Sequence, residues 1–126
     1  MKRVLLALIV TEGAWAADDA KVKPLMAKDL TGIAGKEAVM LTVEYAPGGA
    51  SRSHRHNAFT FVYVLAGSVV MQVKGGPEVT LGPGQTFYES PEDVHTVSRN
   101  ASKTQPAKML VFFVKNKDAP PTVPAN

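Results

Sequence analysis

The stretch Gly48-Gly49-Ala50-Ser51-Arg52-Ser53-His54-Arg55-His56-Asn57-Ala58-Phe59-Thr60-Phe61-Val62-Tyr63-Val64-Leu65-Ala66-Gly67 decides how the rest of this chain is read. From Phe59 to Leu65 every residue is aromatic, β-branched or leucine, which reads as a strand. Alternate residues of a strand face opposite ways, so Thr60, Val62 and Val64 share one face and Phe59, Phe61, Tyr63 and Leu65 the other. Both faces are largely apolar. If the face of small residues lines a barrel, three aromatics stand outside it. A homodimer that packs this outer face is one expectation; cover by a second sheet or by the N-terminal segment is the other. Just upstream, His54 and His56 flank Arg55. In a strand such i and i+2 side chains face the same way, with Cα atoms ~6–7 Å apart. Two imidazoles so placed can grip one metal ion, and Arg55 between them points outward.

Further strands are read outward from this one, near 39–45, 68–73, 78–81, 86–89, 94–98 and 109–114. Turn clusters separate them: Pro47-Gly48-Gly49, Ala66-Gly67, Gly75-Gly76-Pro77, Gly82-Pro83-Gly84 and Ser90-Pro91. Short strands with this punctuation predict an all-β sandwich or barrel. Only residues 24–30 carry a weak helical period, and residues 17–24 and the proline-rich 119–126 read as loosely packed ends. With 126 residues and no linker or internal repeat, a single domain is expected over 17–126, its core at about 38–114.

Composition narrows the function classes. The chain has no cysteine, which excludes disulfides, zinc–thiolate sites and cysteine nucleophiles. Its net charge of +3 is spread thinly and no basic patch is visible, which argues against a nucleic-acid partner. Lys2-Arg3, the apolar run Val4–Val10 and Ala14-Trp15-Ala16 resemble a secretory leader cleaved after about Ala16. The run is too short for a membrane span, which needs about 20 residues. The expected location is therefore exported, periplasmic or secreted.

The third and last histidine, His95, follows the turn Ser90-Pro91-Glu92-Asp93 and opens another strand, from which it could join His54 and His56. No glycine-rich phosphate loop or serine nucleophile elbow competes with this site.

The pattern around these histidines resembles the cupin superfamily, most closely its small single-domain cupin 2 members. Gly48, five residues, His54-Arg55-His56, three residues, Thr60, six residues and Gly67 reproduce the first cupin motif, except that threonine stands where the family has glutamate. The second motif is matched at Gly84 and His95, with its proline displaced to Pro91, Glu92 at its glycine and its asparagine one late at Asn100. The resemblance implies a double-stranded β-helix, or jelly roll, often dimeric, with a metal near the barrel mouth. It makes His54, His56 and His95 the metal ligands and leaves the ion, one of Fe, Mn, Ni, Cu or Zn, undetermined.

In the family the glutamate is the anionic fourth ligand. Thr60 can at best hydrogen-bond a metal-bound water, which leaves a three-histidine site. Gln72, Tyr88 and Glu89 are further candidates to support the ligands by hydrogen bonds. Three functions stay open: a dioxygenase acting on a small chelating organic substrate, a non-catalytic metal- or small-ligand-binding cupin, and a zinc-type hydrolase or isomerase.

Overall fold

The structure, a computed structural model, describes residues 19–125; the expected leader at 1–16 lies outside them. Eleven strands follow one another: β1 (Ala20–Asp29), β2 (Lys36–Tyr45), β3 (Ala50–Ser51), β4 (His54–His56), β5 (Ala58–Ala66), β6 (Val69–Val73), β7 (Val79–Leu81), β8 (Thr86–Glu89), β9 (Val94–Asn100), β10 (Ala107–Asn116) and β11 (Thr122–Pro124). They form two antiparallel sheets. One runs β1-β2-β10-β5-β8 and the other β11-β4-β9-β6-β7, with β3 also pairing β9. This is the all-β jelly roll expected from the sequence. No helix among the described residues is long and apolar enough to cross a membrane.

Alternation builds the core. Along β5, Ala58, Thr60, Val62 and Val64 are buried while Phe59, Phe61, Tyr63 and Leu65 are exposed. Along β10, Ala107, Met109, Val111 and Phe113 turn inward to join them. Leu41, Val43 and Tyr45 of β2 and Val69 and Met71 of β6 complete a cluster drawn from both sheets. The space between the sheets is thus filled by side chains from both inner faces.

The outer face of the five-stranded sheet is apolar as well. The ladders place Met26, Met40, Phe112, Phe61 and Tyr88 in one row across all five strands. Phe61 lies 5.1 Å from the ring of Tyr88 and 6.1 Å from that of Phe112. Phe61, Tyr63 and Tyr88 nonetheless remain 45–47 % exposed.

Two ends depart from expectation. The segment read as a loose end running into a weak helical period is β1, paired with β2 along its length. Local apolar spacing was overridden by a ladder of nine pairs, and Pro24 sits where the register shifts, on an edge strand that tolerates a missing N–H. The proline-rich end likewise holds β11, which pairs with β4.

Gly67 turns the chain between β5 and β6 at φ +75°. A Cβ there would lie 2.4 Å from the Pro106 carbonyl oxygen and 2.8 Å from Ala107 Cα, both backbone atoms. Gly75 has a similar φ of +87° but open space around it. Gly67→Ala is therefore expected to cost clearly more stability than Gly75→Ala, whose backbone strain alone amounts to about 1 kcal/mol. Urea midpoints of the two variants check this; equal losses would show that the close approach to Pro106 carries no weight.

Candidate metal centre

Strand β4 is only three residues long, and its alternation buries His54 and His56 while Arg55 faces solvent, as expected. On one side β4 pairs with β9, with His54 opposite His95. Directly opposed residues of antiparallel strands hold their side chains close, and the two rings sit 4.8 Å apart. His54 and His56 are 4.7 Å apart. Phe87 stacks on His95 and Phe113 packs on His56, which walls the imidazoles with apolar surface.

The carboxylate arrives from the other sheet. Thr60 of β5 is fully buried and pairs across the ladder with Glu89 of β8. Glu89 is 1 % exposed. Its Oε2 lies 3.0 Å from His95 Nδ1 and 3.7 Å from His56 Nε2. One donor atom each from His54, His56, Glu89 and His95 falls within 4.8 Å of all the others. Glu89, which the sequence offered only as a possible support, thus lies together with the three histidines in one buried cluster. The carboxylate missing at Thr60 is supplied one strand away, on the same rung.

The outward hydrogen bonds of the rings settle which nitrogens face inward. His54 Nδ1 lies 2.7 Å from the Arg52 carbonyl oxygen. His56 Nδ1 lies 3.0 Å from the Pro121 carbonyl oxygen and 2.9 Å from Thr122 Oγ1. A carbonyl only accepts, so both Nδ1 atoms carry the proton and both Nε2 atoms keep a lone pair. His95 Nε2 lies 3.1 Å from Met71 Sδ, a weak acceptor, which turns its Nδ1 inward. Among the described residues Glu89 Oε2 is approached by His95 Nδ1 at 3.0 Å and His56 Nε2 at 3.7 Å, and Oε1 has no hydrogen-bond partner. A buried carboxylate on which imidazole nitrogens converge is placed to share a cation with them. Three imidazoles and one carboxylate suit a divalent transition ion.

The remaining sequence candidates fall elsewhere. Gln72 turns away and donates from Nε2 to the Gly76 carbonyl oxygen at 3.0 Å, so it shapes the β6–β7 turn. Its neighbour Met71, one residue back on the inward face, is what touches His95. Tyr88 belongs to the outer face and is exposed. Thr60 lies on the inner face, its Oγ1 3.4 Å from the Ala58 carbonyl oxygen. Met71, Pro121 and Thr122 were not singled out from the sequence. Period-two reading of β6 places Met71 inward, whereas the contact of residues 121–122 with His56 spans 65 positions and leaves no local signal.

Burial sets the acid–base behaviour. It lowers the His56 pKa from 6.5 to about 4, against the attraction of Glu89, and the neighbouring imidazoles add to the lowering. Burial pushes the Glu89 carboxyl up, but His95 and the other two imidazoles outweigh it and hold the group below its ordinary value.

Comparison with known proteins agrees with this geometry. The family model Cupin_2, described as the cupin domain, matches residues 41–113. No curated protein matches the sequence. Among solved structures, the DMSP lyase DddQ from Ruegeria pomeroyi DSS-3 is 23 % identical with a TM-score of 0.61, covering 70 % of this chain and 43 % of the lyase. A recombinant oxalate oxidase in complex with glycolate is 25 % identical with a TM-score of 0.65, covering 85 % of this chain and 55 % of the oxidase. The Cupin_2 domain of an XRE family transcriptional regulator from Enterobacter cloacae is 25 % identical with a TM-score of 0.59, covering 79 % of this chain and 98 % of that one. The chain therefore spans about half the length of the two enzymes it matches.

The pKa of His56 gives a signed expectation for the chelator-treated protein. Between about pH 6.5 and 4 the unfolded chain binds a proton at this residue that the folded chain does not. Stability is then full above pH 6.5 and falls by roughly 3 kcal/mol as the pH drops through that window. Glu89 acts in the same direction, since a lowered carboxylate pKa loses its contribution as pH falls through the folded value. Urea unfolding at pH 7 and pH 4.5 checks the sign; equal midpoints would contradict it.

Proposed function

Because the chain belongs to the Cupin_2 family of cupin domains, we propose that it is a metal-dependent cupin enzyme acting oxidatively, as an oxidase or dioxygenase, on a small chelating organic anion. The observation that carries this is Glu89, buried at the meeting point of three inward nitrogens with no other partner for its oxygens among the described residues. Bound there, a redox-active divalent ion would supply electron transfer and a Lewis-acidic anchor for the substrate.

The chain's own residues do the rest. Three neutral imidazoles and one carboxylate leave a divalent ion with one net positive charge, which favours an anionic substrate over a neutral one. His54, His56, His95 and Glu89 would hold the ion, which would supply a Lewis-acidic anchor for a chelating anion. Phe87 and Phe113 keep the surroundings dry. The likeness to an oxalate oxidase that holds glycolate, a small hydroxy acid, supports this substrate class. A second reading, a binding cupin without turnover, draws on the regulator domain, which this chain covers almost completely.

Elemental mass spectrometry of untagged protein purified without chelator tests the proposal first. About one equivalent of iron, manganese, copper or nickel is expected, and Glu89→Gln is expected to weaken its retention by ~10-fold or more. One equivalent of zinc moves the reading to hydrolysis or isomerisation; no metal, and none regained on dialysis, overturns it. Oxygen uptake with glycolate, oxalate, diketones, catechols, flavonols and thiols then separates enzyme from binding module. A metal-loaded protein inert to all of them supports the second reading.

We propose as well that a second copy of the chain covers the outer face of the five-stranded sheet. Five strands ~4.8 Å apart, bearing about four rows ~7 Å apart, make a face of roughly 600 Å². That lies at the upper end of the largest apolar patches of monomers and approaches the ~800 Å² per partner of a stable dimer. Sedimentation velocity should find dimers at micromolar concentration and monomers for the double variant Phe61→Glu, Phe112→Glu. Wild-type monomer alone would overturn this.

A further inference from the structure

The three histidines are held in different ways. His54 is fixed locally, by the carbonyl of Arg52 two residues back. His95 is fixed by Met71 on the adjoining strand β6. His56 depends on the far end of the chain. Pro121 and Thr122 provide the two acceptors of its Nδ1 proton. Thr122 also makes its ladder rung, because β4 and β9 pair only at His54 and Arg55. Val123 pairs with Arg55, Pro124 with His54, and the Ala125 N–H donates to the Ser53 carbonyl oxygen at 3.4 Å. The three-residue ligand strand is therefore clasped between β9 and β11.

We propose that residues 119–125 form a strap belonging to the metal centre, in which Thr122 and the Pro121 carbonyl are the positioning groups that keep His56 Nε2 aimed at Glu89. The inference rests on the metal reading of the site. With the strap docked, the Nδ1 proton of His56 is shared between two oxygens and the lone pair is on the inward nitrogen. With the strap away, His56 loses both acceptors and its rung, and nothing on β4 or β9 replaces them. Metal binding and strap docking then favour each other by one common factor, since coupling between two equilibria is reciprocal.

The probe is Co²⁺, and the full chain is compared with Thr122→Val, Thr122→Ser and a chain ending at Asp118. Removing the strap is expected to weaken Co²⁺ binding by ~10–100-fold, the range typical of groups that orient a metal-binding histidine. Thr122→Val should lose several-fold and Thr122→Ser should restore the wild-type value. A shortened chain that keeps its far-ultraviolet spectrum and binds Co²⁺ as tightly as the full chain overturns the proposal. Should the shortened chain fail to fold, proteolysis of the full chain decides. Co²⁺ is expected to slow cleavage between Lys117 and Pro124 several-fold, and an unchanged rate overturns the coupling. Nitrogen-15 correlation spectra of the metal-free full chain give a readout independent of any ion. The Nδ1–H tautomer of His56 is expected to predominate, with the other tautomer growing in Thr122→Val; an even mixture in the wild type overturns the positioning role. Failure of the wild type to bind Co²⁺ with the tautomer intact sinks the metal reading and leaves the positioning of His56 standing.

Discussion

A carboxylate buried at 1 % exposure and faced by imidazoles is the constraint around which this structure is arranged. Burying a charge costs several kcal/mol, so a fold retains one only when something compensates. Here the compensation is three imidazoles turned inward by acceptors placed behind them: a loop carbonyl, a thioether and the chain end. Strand alternation puts Glu89 and the histidines on inner faces. The sandwich then closes the gap between the sheets.

The sequence revealed this arrangement unevenly. The alternation of residues 58–66 and the i, i+2 spacing of His54 and His56 depend on a period of two and nothing else, so both were legible directly. His95 was legible through its place in a motif, and its pairing opposite His54 follows from antiparallel packing. Glu89 was visible only as a polar residue on an apolar strand. Its promotion to a donor depends on the β5–β8 register that sets it opposite Thr60, and a single sequence does not specify register. Gln72 drew notice over Met71 because it is the polar residue of an apolar strand, whereas the inward face belongs to Met71. The strands at both ends, β1 and β11, take their structure from partners far along the chain, so local composition read them as loose.

Family and fold are fixed by the match over residues 41–113 and by the two-sheet topology. The chemistry is less general than either, because cupin neighbours include a lyase, an oxidase and a regulator domain. What distinguishes this chain is where its carboxylate comes from. The carboxylate stands on β8 opposite Thr60 of β5, so the charge of the cluster is that of three histidines and one glutamate. Around the donors stand the rings of Phe87 and Phe113, with the small hydroxyl of Thr60 opposite Glu89.

The division of donors between the sheets has a mechanical consequence. His54, His56 and His95 belong to one sheet and Glu89 to the other, so an ion held by all four rivets the two layers together. In a chain without cysteine, that rivet is the nearest equivalent of a cross-link. Ligand linkage adds about 4 kcal/mol to stability when free ion is a thousandfold above its dissociation constant, a large share of what a small domain possesses. Metal supply would then govern how long the folded protein survives.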